Sequence, residues 1–234
     1  MLMKKLKTVF SRFTKGELLL WTGSMLLILL SFVLFDRQNY LNMISSLMAV
    51  TALIFVAKGD PLGQFLFIFF EIMYAIISLS YSYYGEAITY LFMSLPMTLL
   101  SLISWLKNPY KDNKNEVEVN HVGKKEFFFM LIGDAVVTVI FYFLLGWFGT
   151  ANLLVSTFSV ATSFAAAYLI FRRSPFFPLG YAINDLVLIV LWSLAAFDDI
   201  SYLSVAICFV AFLVNDTYSF ISWRRMEKRQ KIQL

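Results

Sequence analysis

Cysteine and histidine are all but missing from this sequence, with Cys208 and His121 each standing alone among 234 residues. One thiol excludes a disulfide framework and any thiolate metal cluster, and one imidazole leaves a histidine-based metal site incomplete. Charge is scarce as well: Asp, Glu, Lys and Arg make up 15% of the chain, where an ordinary soluble domain carries about 25%. Also missing are HExxH, P-loop and GxSxG patterns, so zinc hydrolysis, ATP-driven pumping and serine hydrolysis have no residues to carry them. Nothing calls for a cofactor, a metal or a nucleic acid. What is present is apolar: 60% of residues are hydrophobic, with 25 Phe and 12 Tyr. One water-soluble core cannot bury that much, which excludes a soluble fold.

A helix needs roughly 20 apolar residues to cross the hydrocarbon. Eight stretches meet that length: 18–35, 41–57, 62–83, 87–106, 127–148, 153–171, 176–197 and 201–222. They make the chain an all-α membrane protein of eight transmembrane helices. With both termini in the cytoplasm, all but one of the 19 basic residues fall on the inner side, and only Arg37 lies outside. That is the asymmetry the positive-inside rule demands, and an even number of spans agrees with it. The chain is accordingly expected in a cytoplasmic membrane, multi-pass, with the bilayer as its first partner. The first span follows a basic tail in which Leu2, Leu6, Val9 and Phe13 share a helical face. No small-residue cleavage site follows that span, so it reads as an uncleaved helix rather than a signal peptide.

The chain repeats itself. Segments 41–106 and 153–223 each hold three spans, a basic turn after the first, and an indole at the cytoplasmic end. Ser101-Leu102-Ile103-Ser104-Trp105 recurs as Ser219-Phe220-Ile221-Ser222-Trp223, and the basic turn before Pro61 recurs as Arg172-Arg173-Ser174-Pro175. An even number of spans separates equivalent positions, so the triplets are parallel, an arrangement in which transporters hold substrate between the halves. The domain plan is then 1–40, a basic tail with an extra first helix; 41–106, the first triplet; 107–126, a cytoplasmic linker; 127–148, a central inversion helix; 149–223, the second triplet; and 224–234, a basic tail. Trp105, Trp147 and Trp223 near span ends are expected to anchor at the interface, and Pro96 is expected to kink the fourth span.

Four carboxylates lie within predicted spans: Glu71, Asp134, Asp185 and Asp216. Each costs on the order of 3 kcal/mol to place there, so each is expected to face a cavity or a partner. The offset of 114 between Pro61 and Pro175 carries Glu71 onto Asp185. Glu71 and Tyr74 share a helix face, as do Asn215 and Tyr218. With Tyr181 these six residues form the candidate substrate site. Carboxylates, an amide and aromatic faces suit a neutral hydroxyl-bearing ring compound, and without a basic residue they do not suit a phosphate. The rival is an intramembrane aspartyl hydrolase using Asp134 with Asp185, although Leu131 stands where the first Gly of a Gly-x-Gly-Asp motif belongs.

Across about residues 41–225 the chain resembles the PnuC-type vitamin and nucleoside transporters. The resemblance rests on Val56-Ala57-Lys58-Gly59, Tyr83-Tyr84-Gly85-Glu86, Leu95-Pro96-Met97, Trp105-Leu106-Lys107-Asn108, and Asn215-x-x-Tyr218 with Trp223. It implies a SWEET-like fold of 3+1+3 parallel repeats plus one N-terminal helix. It also implies facilitated diffusion of nicotinamide riboside or a related nucleoside-like vitamin precursor, trapped inside by phosphorylation, and no enzymatic activity. Asn215 and Tyr218 match the family's Asn-x-x-Tyr. Pro178-Leu179-Gly180-Tyr181 replaces its Trp-x-x-Trp, Thr98 stands where Gln is expected, and Ser101 replaces Gly. Those departures keep proton-coupled transport of thiamine, riboflavin or deoxynucleosides as the alternative. Self-association into a homo-oligomer stays open.

Overall fold

The structure, a computed structural model, describes residues 13–80, 83–111 and 113–232. Its helices are α1 (Lys15–Phe35), α2 (Tyr40–Ala57), α3 (Pro61–Ser80), α4 (Tyr84–Thr89), α5 (Leu95–Lys107), α6 (Lys124–Trp147), α7 (Leu153–Phe171), α8 (Phe177–Ala195) and α9 (Leu203–Ile232). A π-helical turn, Tyr90–Ser94, joins α4 to α5, and a 3₁₀ turn, Ile200–Tyr202, precedes α9. Counting α4 through α5 as one span, eight helices among the described residues are long and apolar enough to cross a membrane. They fall on the eight stretches read from the sequence. The amphipathic tail lies in residues 1–12, outside the described residues. Only Phe13 of that face is described, and its ring lies 5.6 Å from that of Phe55.

Local chemistry sets the ends of these helices. Thr14 and Glu17 form a reciprocal capping box that starts α1, satisfying donors that a helix start leaves free. The π turn falls just ahead of Pro96, whose missing N–H cannot continue the ordinary ladder. Here the Leu95 N–H bonds back to the Tyr90 carbonyl. After α2 and α7 the chain reverses through the same turn. Gly59 and Arg173 both adopt positive φ, at 69° and 57°. Their N–H groups donate to Val56 O and Ile170 O, while those of Asp60 and Ser174 donate to Phe55 O and Leu169 O.

In the bundle α2 packs on α3 and α9, α8 packs on α7 and α9, and α5 packs on α3 and α7. Thus α2 meets α9, and α7 meets α5. Helix α1 lies along the α2–α9 seam, and α6 lies against α7 with most of its large apolar side chains exposed. Gly63 permits the closest approach of α2 to α3: a Cβ there would lie 2.6 Å from a Val56 methyl and 2.7 Å from its backbone nitrogen.

Two expectations need correction. Trp105 and Trp223 are not interfacial anchors, because both are fully buried with ring centroids 5.4 Å apart. The Trp105 indole donates to Ile170 O at 3.0 Å and that of Trp223 to Val56 O at 2.8 Å, so each indole caps a carbonyl at the end of a helix in the opposite segment. Trp147, by contrast, is 85% exposed. The 107–125 segment is also more than a linker. It forms a β-hairpin of β1 (Pro109–Tyr110) and β2 (Asn113–Val117). Val117 N–H donates to Gly59 O and Asn120 N–H to Arg173 O, tying the segment to both basic turns.

Candidate substrate cavity

A cavity lies between α2, α3 and α5 on one side and α7, α8 and α9 on the other. Leu53 and Val56 of α2 line it, with Gln64, Phe67, Phe70 and Glu71 of α3, Tyr90 and Ser94 of the π turn, and Thr98 of α5. From the other side come Ser163 and Ile170 of α7, Phe177, Tyr181, Asn184 and Asp185 of α8, and Phe209, Phe212 and Asp216 of α9. Three carboxyl groups therefore face one cavity, and among the described residues no Lys, Arg or His lines it.

Glu71 accepts a hydrogen bond from the Thr98 hydroxyl at 2.7 Å through Oε1. Thr98 thus occupies a polar role where the family resemblance implied Gln. Across the cavity Asp185 of α8 and Asp216 of α9 both line it, each 3% exposed. Asn184 Oδ1 accepts from Thr162 and Ser163 at 2.8 and 2.9 Å. Gln64 Nε2, Glu71 Oε2, Asp185 Oδ2 and Asp216 Oδ1 are buried with no protein donor or acceptor to match them. Buried polar atoms are rarely left so. Four of them converge on one cavity, which leaves hydrogen-bonding capacity there unused among the described residues.

Of the six residues singled out from the sequence, Glu71, Tyr181 and Asp185 come together in this cavity. Tyr74 lies behind it, packed against Tyr90 at 4.3 Å and edge-on to Trp192 and Phe209, each at 6.2 Å. Asn215 and Tyr218 do share a helix face, but that face meets α1. The Asn215 amide donates to Ser24 Oγ at 2.9 Å and to Ala211 O, and the Tyr218 hydroxyl donates to Glu17 at 3.1 Å. Glu17 also pairs with Lys58 at 3.0 Å. Asp134 is on α6 and does not line the cavity, so the structure does not assemble the Asp134–Asp185 pair that a hydrolase would need. Sequence reading left Gln64, Tyr90, Ser163 and Asn184 unmarked. Asn184 carried a signal, an amide one residue before an intramembrane acid, whereas Glu86 fell one residue outside the fourth span as read from the sequence and lies inside the helical span that the structure shows. Glu86 is 2% exposed, with Oε2 unpartnered.

Aromatic rings pack together beyond both ends of the cavity. Toward the 3₁₀ turn are Tyr74, Tyr83, Tyr90, Trp192 and Tyr202, with Tyr83 4.9 Å from Trp192 and 5.5 Å from Tyr202. Toward the hairpin are Trp105, Phe177 and Trp223, with Phe177 edge-on to Trp223 at 4.8 Å.

The profile of a family described as nicotinamide mononucleotide transporters matches residues 39–225. The chain belongs to this family. It is similar to the nicotinamide riboside transporter PnuC of Neisseria mucosa, with 24% identity over 205 residues, covering 85% of this chain and 77% of that relative. It also matches a crystal structure of the vitamin B3 transporter PnuC, with a TM-score of 0.81 at 20% identity over 95% of this chain and 96% of the other. The chain is therefore a multi-pass membrane protein of a transporter family, not an enzyme, with the all-α fold of that solved structure.

Proposed function

We propose that this protein carries nicotinamide riboside, or a closely related vitamin precursor with a cationic ring, by facilitated diffusion through the cavity. The observation that carries this reading is the lining: three carboxyl groups, phenolic and benzyl faces, and no basic side chain. A pyridinium ring is a cation with flat faces. It gains attraction from carboxylates in a low-dielectric site and stacks on aromatic rings. The lining thus moves the expectation from a neutral ring to a charged one. A phosphate would instead meet three acidic side chains with no Lys or Arg among the lining residues to offset its charge. Within a family named for the mononucleotide, this cavity favours the dephosphorylated nucleoside, which intracellular phosphorylation would then trap. Relatives named for nicotinamide riboside and vitamin B3 support the same class.

Orphaned Asp185 Oδ2 and Glu71 Oε2 are the atoms we assign to the ligand's hydroxyl and amide donors, with Tyr181 and Phe177 as ring platforms. The architecture we assign is the 3+1+3 repeat, with α2–α5 and α7–α9 as parallel triplets, α6 as the inversion helix, α1 as an addition, and both termini cytoplasmic. The exchanged indole bonds and the paired turns at Gly59 and Arg173 support it.

The test is uptake of radiolabelled nicotinamide riboside into proteoliposomes, with unlabelled nicotinamide mononucleotide, thiamine, riboflavin and deoxynucleosides as competitors. We expect equilibration without accumulation, inhibition by the riboside, and little inhibition by the mononucleotide. Accumulation driven by an imposed proton gradient would overturn the passive mechanism, and preferential inhibition by thiamine would move the substrate to that other ring cation.

A further inference from the structure

We propose that a groove at the hairpin end of the bundle seats the headgroup of an anionic phospholipid. It lies where three apolar spans give way to charged chain. Glu17 enters it from the first turn of α1, Lys58 from the turn after α2, Glu116 from β2, and Ser222, Arg225 and Arg229 from α9. None of these six lines the substrate cavity, so the site is separate from the substrate reading above. Glu17 is matched by Lys58 at 3.0 Å and Glu116 by Arg229. Arg225 is exposed, and no carboxylate among the described residues pairs with it. Three cations against two carboxylates leave the groove one positive charge in excess.

Donors are also left over. A lysine ammonium has three N–H groups, and Glu17 takes two of those of Lys58. The Ser222 hydroxyl has no bond among the described residues, whereas its counterpart in the sequence repeat, Ser104, accepts from Arg173 at 2.9 Å and donates to Phe171 O. Gly59 stands in the first half where Arg173 stands in the second, so no guanidinium reaches Ser222 from that turn. A guanidinium, an ammonium N–H and a hydroxyl lining one groove are the donors that bind a phosphate. Basic residues surround them: residues 1–12 carry four and no acid, and 224–231 carry five against Glu227 alone. Position selects a lipid over a free anion. Leu18 and Leu19 follow Glu17 directly and Ile221 precedes Ser222, and all three are exposed, so the groove adjoins apolar surface at the end of the spans. A lipid covers that surface with its chains while its phosphate meets the cations, as in other basic pockets between membrane helices. Helix α1 buries little of itself and is held by Glu17 to Lys58 and Tyr218, by Trp21 to Thr51, and by Ser24 to Asn215. A headgroup joining Arg225 of α9 to Lys58 beside α2 braces the seam along which α1 lies, so its occupancy is read as stability.

The test is thermal unfolding of the delipidated full chain in neutral detergent, titrated with dioleoyl phosphatidylglycerol, with dioleoyl phosphatidylcholine, or with inorganic phosphate or glycerol phosphate. Phosphatidylglycerol at about 100 times its Kd should raise the melting temperature by about 5 to 10 °C. Phosphatidylcholine, whose ammonium cancels the phosphate charge, and the two soluble phosphates should raise it far less. About 0.5 M salt should shrink the rise by screening the exposed guanidinium. Arg225→Ala should lose at least half of it and Arg225→Glu nearly all. Arg225 is exposed and unpaired, so both variants should melt like the parent without lipid. Lys124→Ala, at the start of α6 outside the groove, should keep the full rise. A phosphatidylglycerol rise undiminished in Arg225→Glu, or one matched by phosphatidylcholine, would overturn the site. A full rise with inorganic phosphate or glycerol phosphate would overturn the lipid as its occupant and make the groove a seat for a soluble anion.

Discussion

Asn215 and Asp216 are neighbours on α9 that point to different places, and replacing each in turn separates the clamp on α1 from the cavity. In Asn215→Ala the Nδ2 bond to Ser24 is lost. The buried Asn215 Oδ1, which has no donor, is removed as well. Losing one neutral hydrogen bond costs about 0.5 to 1.5 kcal/mol net, and removing an orphaned acceptor offsets part of it. A loss of about 1 kcal/mol of stability is therefore expected, with riboside affinity changed less than about twofold. In Asp216→Ala a carboxyl leaves the cavity. Interactions of a charged group are worth about 1.5 to 3 kcal/mol, so affinity should fall about 10- to 150-fold. Thermal unfolding in detergent reads the first effect and calorimetric binding of nicotinamide riboside the second. An Asn215→Ala protein with wild-type melting and an affinity loss as large as that of Asp216→Ala would show that the amide contacts substrate and that the α1 bond does not govern its role.

Replacing Trp105 or Trp223 by Phe removes one of the two hydrogen bonds accepted by the carbonyl of Ile170 or Val56 and leaves the turn N–H bond in place, so each should lose about 0.5 to 1.5 kcal/mol of stability, whereas Trp147→Phe should melt like the parent protein. Gly63→Ala drives a methyl into Val56, including its backbone, and should cost about 1 to 3 kcal/mol; unchanged melting would mean that α2 and α3 separate easily. At the loop after α1, burial raises the Asp36 carboxyl above its ordinary range, with Asp199 adding to the rise and hydrogen bonds from Asn42 and Ser204 opposing it. The folded state then holds that proton more tightly than the unfolded chain does, so stability falls as pH rises from about 4 through the raised value. Melting measured against pH should show Asp36→Asn gaining on the parent across that window, and a pH-independent difference between the two would contradict the assignment.

The spans were legible because length and hydropathy are local. Glu71 and Asp185 were legible because a carboxylate in hydrocarbon needs a reason, and an internal offset linked the two. The face of α9 was not. One residue along a helix rotates the side chain by about 100°, so choosing between Asn215 and Asp216 depends on what packs on each side. That choice is made by α1, whose Ser24 and Glu17 are separated from Asn215 and Tyr218 by about 190 to 200 residues of chain. The indoles were misjudged for a related reason. An anchor and a buried donor have the same residue type at the same depth, and the carbonyls that distinguish them belong to turns more than 60 residues away. The hairpin's signal, two short polar strands around Lys111 at positive φ, is too slight to separate from a polar linker.

The packing beyond the two ends of the cavity differs in kind. Near the 3₁₀ turn the closing contacts within the aromatic layer are ring on ring, and such pairs contribute about 0.5 to 1.5 kcal/mol each beyond the area they bury. Near the hairpin the rings are joined by two indole-to-carbonyl bonds and by the bonds from Val117 and Asn120 to the turns at Gly59 and Arg173. Gln230 of α9 ties β2 in as well, donating to Val117 O and accepting from Val119 N–H. Parting the helices at that end exposes several directional bonds at once, each of which needs a new partner in the opened state. Ring contacts, by contrast, can slide and re-form in small steps. The 107–125 segment is therefore bonded into the packing at one end of the cavity and is not a plain loop.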